Sequence, residues 1–128
     1  MDAFIELDYY QGAYGGSSIA SIDFDFVARR ASYEVNSLTF DRAEAIINSG
    51  TNTHLIDRIK MATCAVAEEL NRNAARVSAT LGIDSESVGD HSVKYTSVGQ
   101  LREHESLEVY AIVEQYLGLT GLMYRGVA

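Results

Sequence analysis

The sequence predicts a mainly α-helical protein, a small bundle of about four helices with a β-hairpin or extended loop and a C-terminal arm. Apolar residues recur at steps of three and four over long stretches, and none of the 128 residues is a proline that would interrupt them. One short stretch alternates like a strand instead. A chain of this length can bury its own core, so we expect a single domain over residues 1–128.

The N-terminal segment, residues 1–20, is rich in tyrosine and glycine. Glycine adopts a positive φ without steric cost, so Gly15-Gly16 predicts a tight turn. The aromatic residues either pack on the domain's own core or contact a partner, and the sequence leaves both open.

The first helix is expected to begin at Ser21 as its N-cap, with Asp23 and Asp25 in the first turn, where the helix dipole favours acids. One apolar face then follows at helical steps, and it consists of Phe24, Val27, Ala28, Ala31, Val35 and Leu38. Asp41 and Glu44 have the spacing of a capping box, which predicts a second, short helix over residues 42–48.

The next helix is the longest. An apolar residue occurs every three or four positions from Leu55 to Leu81, and Gly82 is the expected stop. At about 1.5 Å per residue the helix spans nearly 40 Å, so it must run along a face of the molecule or project beyond it.

A hairpin or loop is predicted at residues 84–98, because residues 92–96 alternate between polar and apolar. A lone hairpin is marginally stable, so its apolar residues Val88, Val93 and Tyr95 require a partner. The last helix, over residues 102–117, is apolar around most of its circumference, which predicts enclosure on several sides. Residues 119–128 form the expected arm, and its apolar character is typical of a docking surface.

Composition argues against several classes of protein. Lys and Arg number 10 against 18 Asp and Glu, a net charge of −8, which disfavours binding to a phosphate backbone. A lone Cys64 forms no internal disulfide. The first ten residues lack Lys and Arg, and no apolar run approaches 18 residues, so we expect neither a signal peptide nor a membrane span, and a cytoplasm-like compartment.

Catalytic motifs are not evident. His104 and Glu108 have helical i, i+4 spacing, but a solvated pair explains them better than a metal site. Glu68 and Glu69 fit a charged outer face, and Cys64 fits a small buried side chain better than a nucleophile. We therefore expect no enzymatic activity, no cofactor and no metal.

Six segments occur in an order that resembles one protein family. The segments lie at 10–16, 29–32, 38–40, 60–68, 85–93 and 121–127. The most specific parts are Ser-Glu-Ser-Val-Gly-Asp at 85–90 and Leu-Met-Tyr-Arg-Gly at 122–126. Together they resemble the head–tail connector (adaptor) proteins of long-tailed bacteriophages. His91 departs from that pattern, since an aromatic residue, commonly tyrosine, is expected there.

The resemblance implies a virion protein of the phage neck, assembled in the host cytoplasm as a ring of about twelve subunits. Its partners would be the portal protein and a downstream neck protein, a stopper or tail terminator. Double-stranded DNA would pass through the ring without specific binding, and neither membrane nor cofactor is implied. Candidate contacts with the portal or a neighbouring subunit are Leu122, Met123, Tyr124, Arg125, Val127, Val88, Val93 and Tyr95.

Two other functions are open on the sequence. An acidic helical protein can bind and regulate a host protein, for instance as a nucleic-acid mimic, which predicts clustered carboxylates on a monomer or dimer. A small hydrolase that uses His104 is the least favoured hypothesis.

Overall fold

The computed structural model describes residues 2–86 and 98–124, with the backbone alone for 80–86. The prediction of a mainly helical bundle is confirmed, and the described residues contain no strand. The described helices are α1 (Leu7–Gln11), α2 (Ser21–Leu38), α3 (Arg42–Ser49), α4 (Thr53–Glu86) and α5 (Val98–Leu117). Of the predicted hairpin at 84–98, residues 84–86 continue α4 and Val98 begins α5; residues 87–97 lie outside the described part.

Helix α4 is the centre of the bundle, since α2 and α5 both pack along it. It buries side chains around much of its circumference, from Ala62 and Glu69 on one side to Cys64 and Ala67 on the other. A helix covered by neighbours on more than one side needs such a wide buried arc. The two neighbours α2 and α5 each keep an opposite face that α4 does not cover.

At 34 residues, α4 is about 50 Å long and extends beyond the core. None of the side chains at 74–79 is buried. The prediction that the helix stops at Gly82 is wrong, because it continues to Glu86. A glycine inside a helix costs only about 1 kcal/mol relative to alanine, and no proline follows to end the helix.

The junction between α2 and α3 has an unusual backbone. Phe40 and Asp41 both adopt a left-handed conformation, with φ of 57° and 65°. Asp41 is the N-cap residue of α3, but its side chain makes no capping hydrogen bond, so the predicted capping box is wrong. Asn36 caps instead: its Oδ1 accepts the Glu44 N–H at 3.0 Å, while its Nδ2 donates to Asp41 Oδ1 at 3.1 Å.

Helix α2 begins one residue differently from the prediction, because Ala20 is its N-cap and Ser21 its first residue. The end of α5 at Leu117 confirms the predicted boundary.

The N-terminal segment before α2 contributes four side chains to the core, and these are Phe4, Ile5, Tyr10 and Ile19. The N-terminal segment therefore packs on its own domain.

Candidate docking surfaces

Three hydroxyl groups of the N-terminal segment donate hydrogen bonds to the carboxylate of Glu68 and so fix this segment to α4. The hydroxyls of Tyr10 and Ser18 donate to Oε2 of Glu68 at 2.9 and 3.0 Å, and the Tyr14 hydroxyl donates to Oε1 at 3.0 Å. Burial, and next the hydrogen bond to the Glu68 carboxylate, raises the pKa of Tyr14 above its ordinary value. The hydroxyl therefore stays protonated and keeps donating.

Tyr10 is the central residue of this cluster and is fully buried. Its hydroxyl oxygen also accepts the backbone N–H groups of Ser18 and Ile19, at 3.1 and 3.2 Å. Its ring stacks on Tyr14, with centroids 5.9 Å apart. A Cβ at position 16 would collide with the Tyr10 ring, so the close approach of the backbone to this ring requires glycine.

The carboxylates of Glu68 and Glu69 are not a solvated outer face, so that interpretation was wrong. Glu69 is only 3% exposed, and its carboxylate accepts hydrogen bonds from Arg72 and Arg76, both at 3.3 Å. Glu68 is half-buried under the tyrosine hydroxyls. Adjacent residues on a helix point to different sides, so Glu68 accepts hydrogen bonds from the N-terminal segment and Glu69 accepts them from arginines of α4.

Arg42 holds residues 118–124 against the bundle. Its Nη1 atom donates to the backbone carbonyls of Gly121, Leu122 and Tyr124, at 3.1, 3.2 and 2.8 Å. Leu122 is buried in the core. The structure therefore does not support a projecting arm over residues 119–124, because the arginine and the apolar contact of Leu122 fold this part of the chain back.

Helix α2 carries a second apolar face that the sequence reasoning missed. Phe40, just after the end of the helix, is 47% exposed, and Ile22, Phe26 and Tyr33 on the helix itself are 89%, 69% and 68% exposed. At 100° per residue these positions lie opposite the buried side of α2. We call the four residues the outer stripe of α2. Such a row of large exposed apolar side chains is typical of an interaction site.

The outer side of α5 joins residues 118–124 in a second apolar surface. Between them lies an open groove of about 490 Å³, which we call the α5 groove; it is lined by Tyr110, Glu114, Gly118, Leu119, Met123 and Tyr124. Leu119, which follows the end of α5, is 98% exposed, and Leu107 on α5 itself is exposed as well. The prediction that α5 is enclosed on several sides is therefore wrong for the described residues, among which only one side of the helix packs on the bundle.

The predicted contact residues are distributed unevenly. Leu122 is buried, Met123 is half-buried and Tyr124 is exposed. The other predicted contacts, Val88, Val93, Tyr95, Arg125 and Val127, lie outside the described residues.

Other candidate sites carry less chemistry. Cys64 is buried as predicted, and burial raises the pKa of its thiol to about 12. His104 is exposed on α5, and residues 2–86 and 98–124 contain no group of three His, Cys, Asp or Glu side chains placed to hold a metal. None of the helices in these residues has the length and apolar character of a membrane span.

Comparisons with protein-family models, characterised proteins and solved structures found no match to this chain.

The outer stripe of α2 did have a signal in the sequence. Ile22, Phe26 and Tyr33 are large apolar residues that do not belong to the core face of the helix. Their steps of four and seven repeat along one line of a helix. A helix with two opposite apolar lines has one for its own core and one for a partner.

Proposed function

We propose that this chain is a structural protein of a bacteriophage neck, which assembles as a ring beneath the portal, connects head to tail and lets DNA pass. The observation that carries the proposal is the pair of exposed apolar surfaces, the outer stripe of α2 and the α5 groove. A ring requires two different faces on every subunit, because each face of one subunit meets the other face of the next. The ordered set of adaptor-like segments supports the same assignment.

The charge of the chain suits a conduit. The chain has a net charge of −8, and exposed carboxylates away from the two apolar surfaces include Asp2, Glu6 and Asp57. A channel wall with excess negative charge repels phosphates, so DNA slides past without being held. The proposed partners are the portal protein above the ring and a stopper or tail terminator below it.

The experiment is electron microscopy and native mass spectrometry of the purified protein, with and without the portal ring of the same virus. We expect ring assembly on the portal. A monomer or compact dimer that ignores the portal would contradict the proposal and would favour the acidic regulator of a host protein.

A variant of the exposed Tyr124 sharpens the test. Tyr124→Asp places a charge on the α5 groove without disturbing the buried core, and we expect it to abolish assembly on the portal. The control is Ala45→Asp, an exposed position on α3, which should assemble normally. Equal assembly of both variants would show that the groove is not a contact.

A further inference from the structure

We infer that the outer stripe of α2 in one subunit packs against the α5 groove of a second copy of the same chain. The inference rests on the proposed function in one respect, since it names the self-contact that a ring requires. The two surfaces are different, so the contact is head-to-tail and can repeat from subunit to subunit.

The spacing of exposed residues on the two helices is the same. Each helix presents four residues at steps of four, three and four on the side away from the core. The α2 row consists of Ile22, Phe26, Arg29 and Tyr33. The α5 row consists of Glu103, Leu107, Tyr110 and Glu114. Equal spacing lets the ridge of one helix enter the groove of another. Both rows mix apolar residues with charge.

The charges on the two rows have opposite sign. Arg29 lies within the α2 row, and its side chain is 68% exposed, with Asp25 as a weak partner at 3.7 Å. Glu114 borders the α5 groove and is exposed, and no cation of the described residues lies within salt-bridge distance of it. The one cation of the α2 row therefore faces a row that carries two glutamates, Glu103 and Glu114, and this complementarity selects the second copy as the occupant.

The alignment of the two helices follows from this pair. In an antiparallel arrangement that sets Arg29 against Glu114, Tyr33 lies beside Tyr110 and Phe26 reaches the α5 groove near Leu119. Phe26 and Tyr33 of the stripe then each meet an apolar or aromatic neighbour, and the charged pair fixes the register.

The test is a charge-reversal cycle, measured by sedimentation velocity at millimolar concentration without portal. Arg29→Glu and Glu114→Arg should each weaken self-association by about tenfold or more, and the double variant should recover most of it. Arg102→Glu and Asp8→Arg reverse exposed charges elsewhere and should leave association unchanged. All these positions are exposed, so circular dichroism should show an unaltered fold.

Disulfide cross-linking provides an independent readout. Phe26→Cys mixed with Leu119→Cys should form a cross-linked dimer on oxidation, whereas either variant alone should not. The native Cys64 is buried and out of reach of the oxidant.

Three results would overturn the inference: a wild-type chain that stays monomeric under these conditions, single reversals without effect, or a double variant that does not recover. These results are separable from failure of the proposed function. If the charge-reversal cycle shows coupling between Arg29 and Glu114 but the protein does not assemble on the portal, the interface is supported and the assignment to the phage neck is contradicted. If the protein forms rings on the portal but the cycle shows no coupling between Arg29 and Glu114, the assignment is supported and the interface is contradicted.

Discussion

Removal of one hydroxyl group, by Tyr10→Phe, tests how the N-terminal segment is held. The variant leaves the ring and its packing in place but deletes the donor to Glu68 and the acceptor for the N–H groups of Ser18 and Ile19. A hydrogen bond to a charged group contributes about 1.5–3 kcal/mol, and a buried N–H left without a partner costs about 1–3 kcal/mol. Ser18 is exposed, so water can replace its bond, but the buried Ile19 has no such replacement. We expect a loss of about 3 kcal/mol in the free energy of unfolding.

The assay is thermal and urea unfolding followed by circular dichroism at 222 nm, a wavelength that reports helix. For a chain of this size, 3 kcal/mol corresponds to a fall of about 10 °C in Tm. The control is Tyr33→Phe, because Tyr33 is exposed and its hydroxyl makes no hydrogen bond to the described residues. That variant should stay within about 0.5 kcal/mol of the wild type. If Tyr10→Phe were equally neutral, the hydroxyl cluster would not be what holds residues 4–19 on α4.

Three further predictions follow from the same structure. Gly16→Ala should destabilise the fold by about 2 kcal/mol in urea unfolding, because the new Cβ would strike the Tyr10 ring; a neutral result would mean that the turn can move. Asn36→Ala should lower the free energy of unfolding by about 1–2 kcal/mol, since it removes the side-chain acceptor of the Glu44 N–H at the start of α3. Asn36→Asp keeps that acceptor but loses the donor to Asp41, so it should destabilise the fold less than Asn36→Ala does. Cys64 should react with iodoacetamide at pH 8 at least about a hundredfold more slowly than the unfolded chain, because its raised pKa leaves little thiolate; fast labelling of the folded protein would contradict the burial.

The helices could be predicted because their apolar residues repeat at the helical period. The end of α5 at Leu117 was correctly placed from Gly118, which follows it. The start of α3 at Arg42 was predicted correctly, but the capping box was not, since Asp41 and Glu44 have its spacing while Asp41 lies in a left-handed backbone conformation and makes no capping bond. No local pattern reveals that a side chain from the preceding helix, Asn36, supplies the acceptor.

The docking surfaces were harder to predict for a related reason. The apolar residues at 119–128 predict an arm, although Leu122 is a core residue and Arg42 binds the backbone carbonyl of Leu122. Such contacts join positions about eighty residues apart and leave no periodic signal. The outer stripe of α2, by contrast, does have a periodic signal in the sequence, since Ile22, Phe26 and Tyr33 lie on one line of the helix opposite the core face.

The Arg42 contact with residues 121–124 has a consequence for how this chain can vary. The guanidinium binds carbonyl oxygens, which every amino acid carries, so the identities of the clamped side chains are not constrained by it. Substitution at Tyr124 can therefore change the recognition surface while the backbone under it stays fixed. The Arg42 side chain thus supports a surface that can be adapted to a new partner without being refolded.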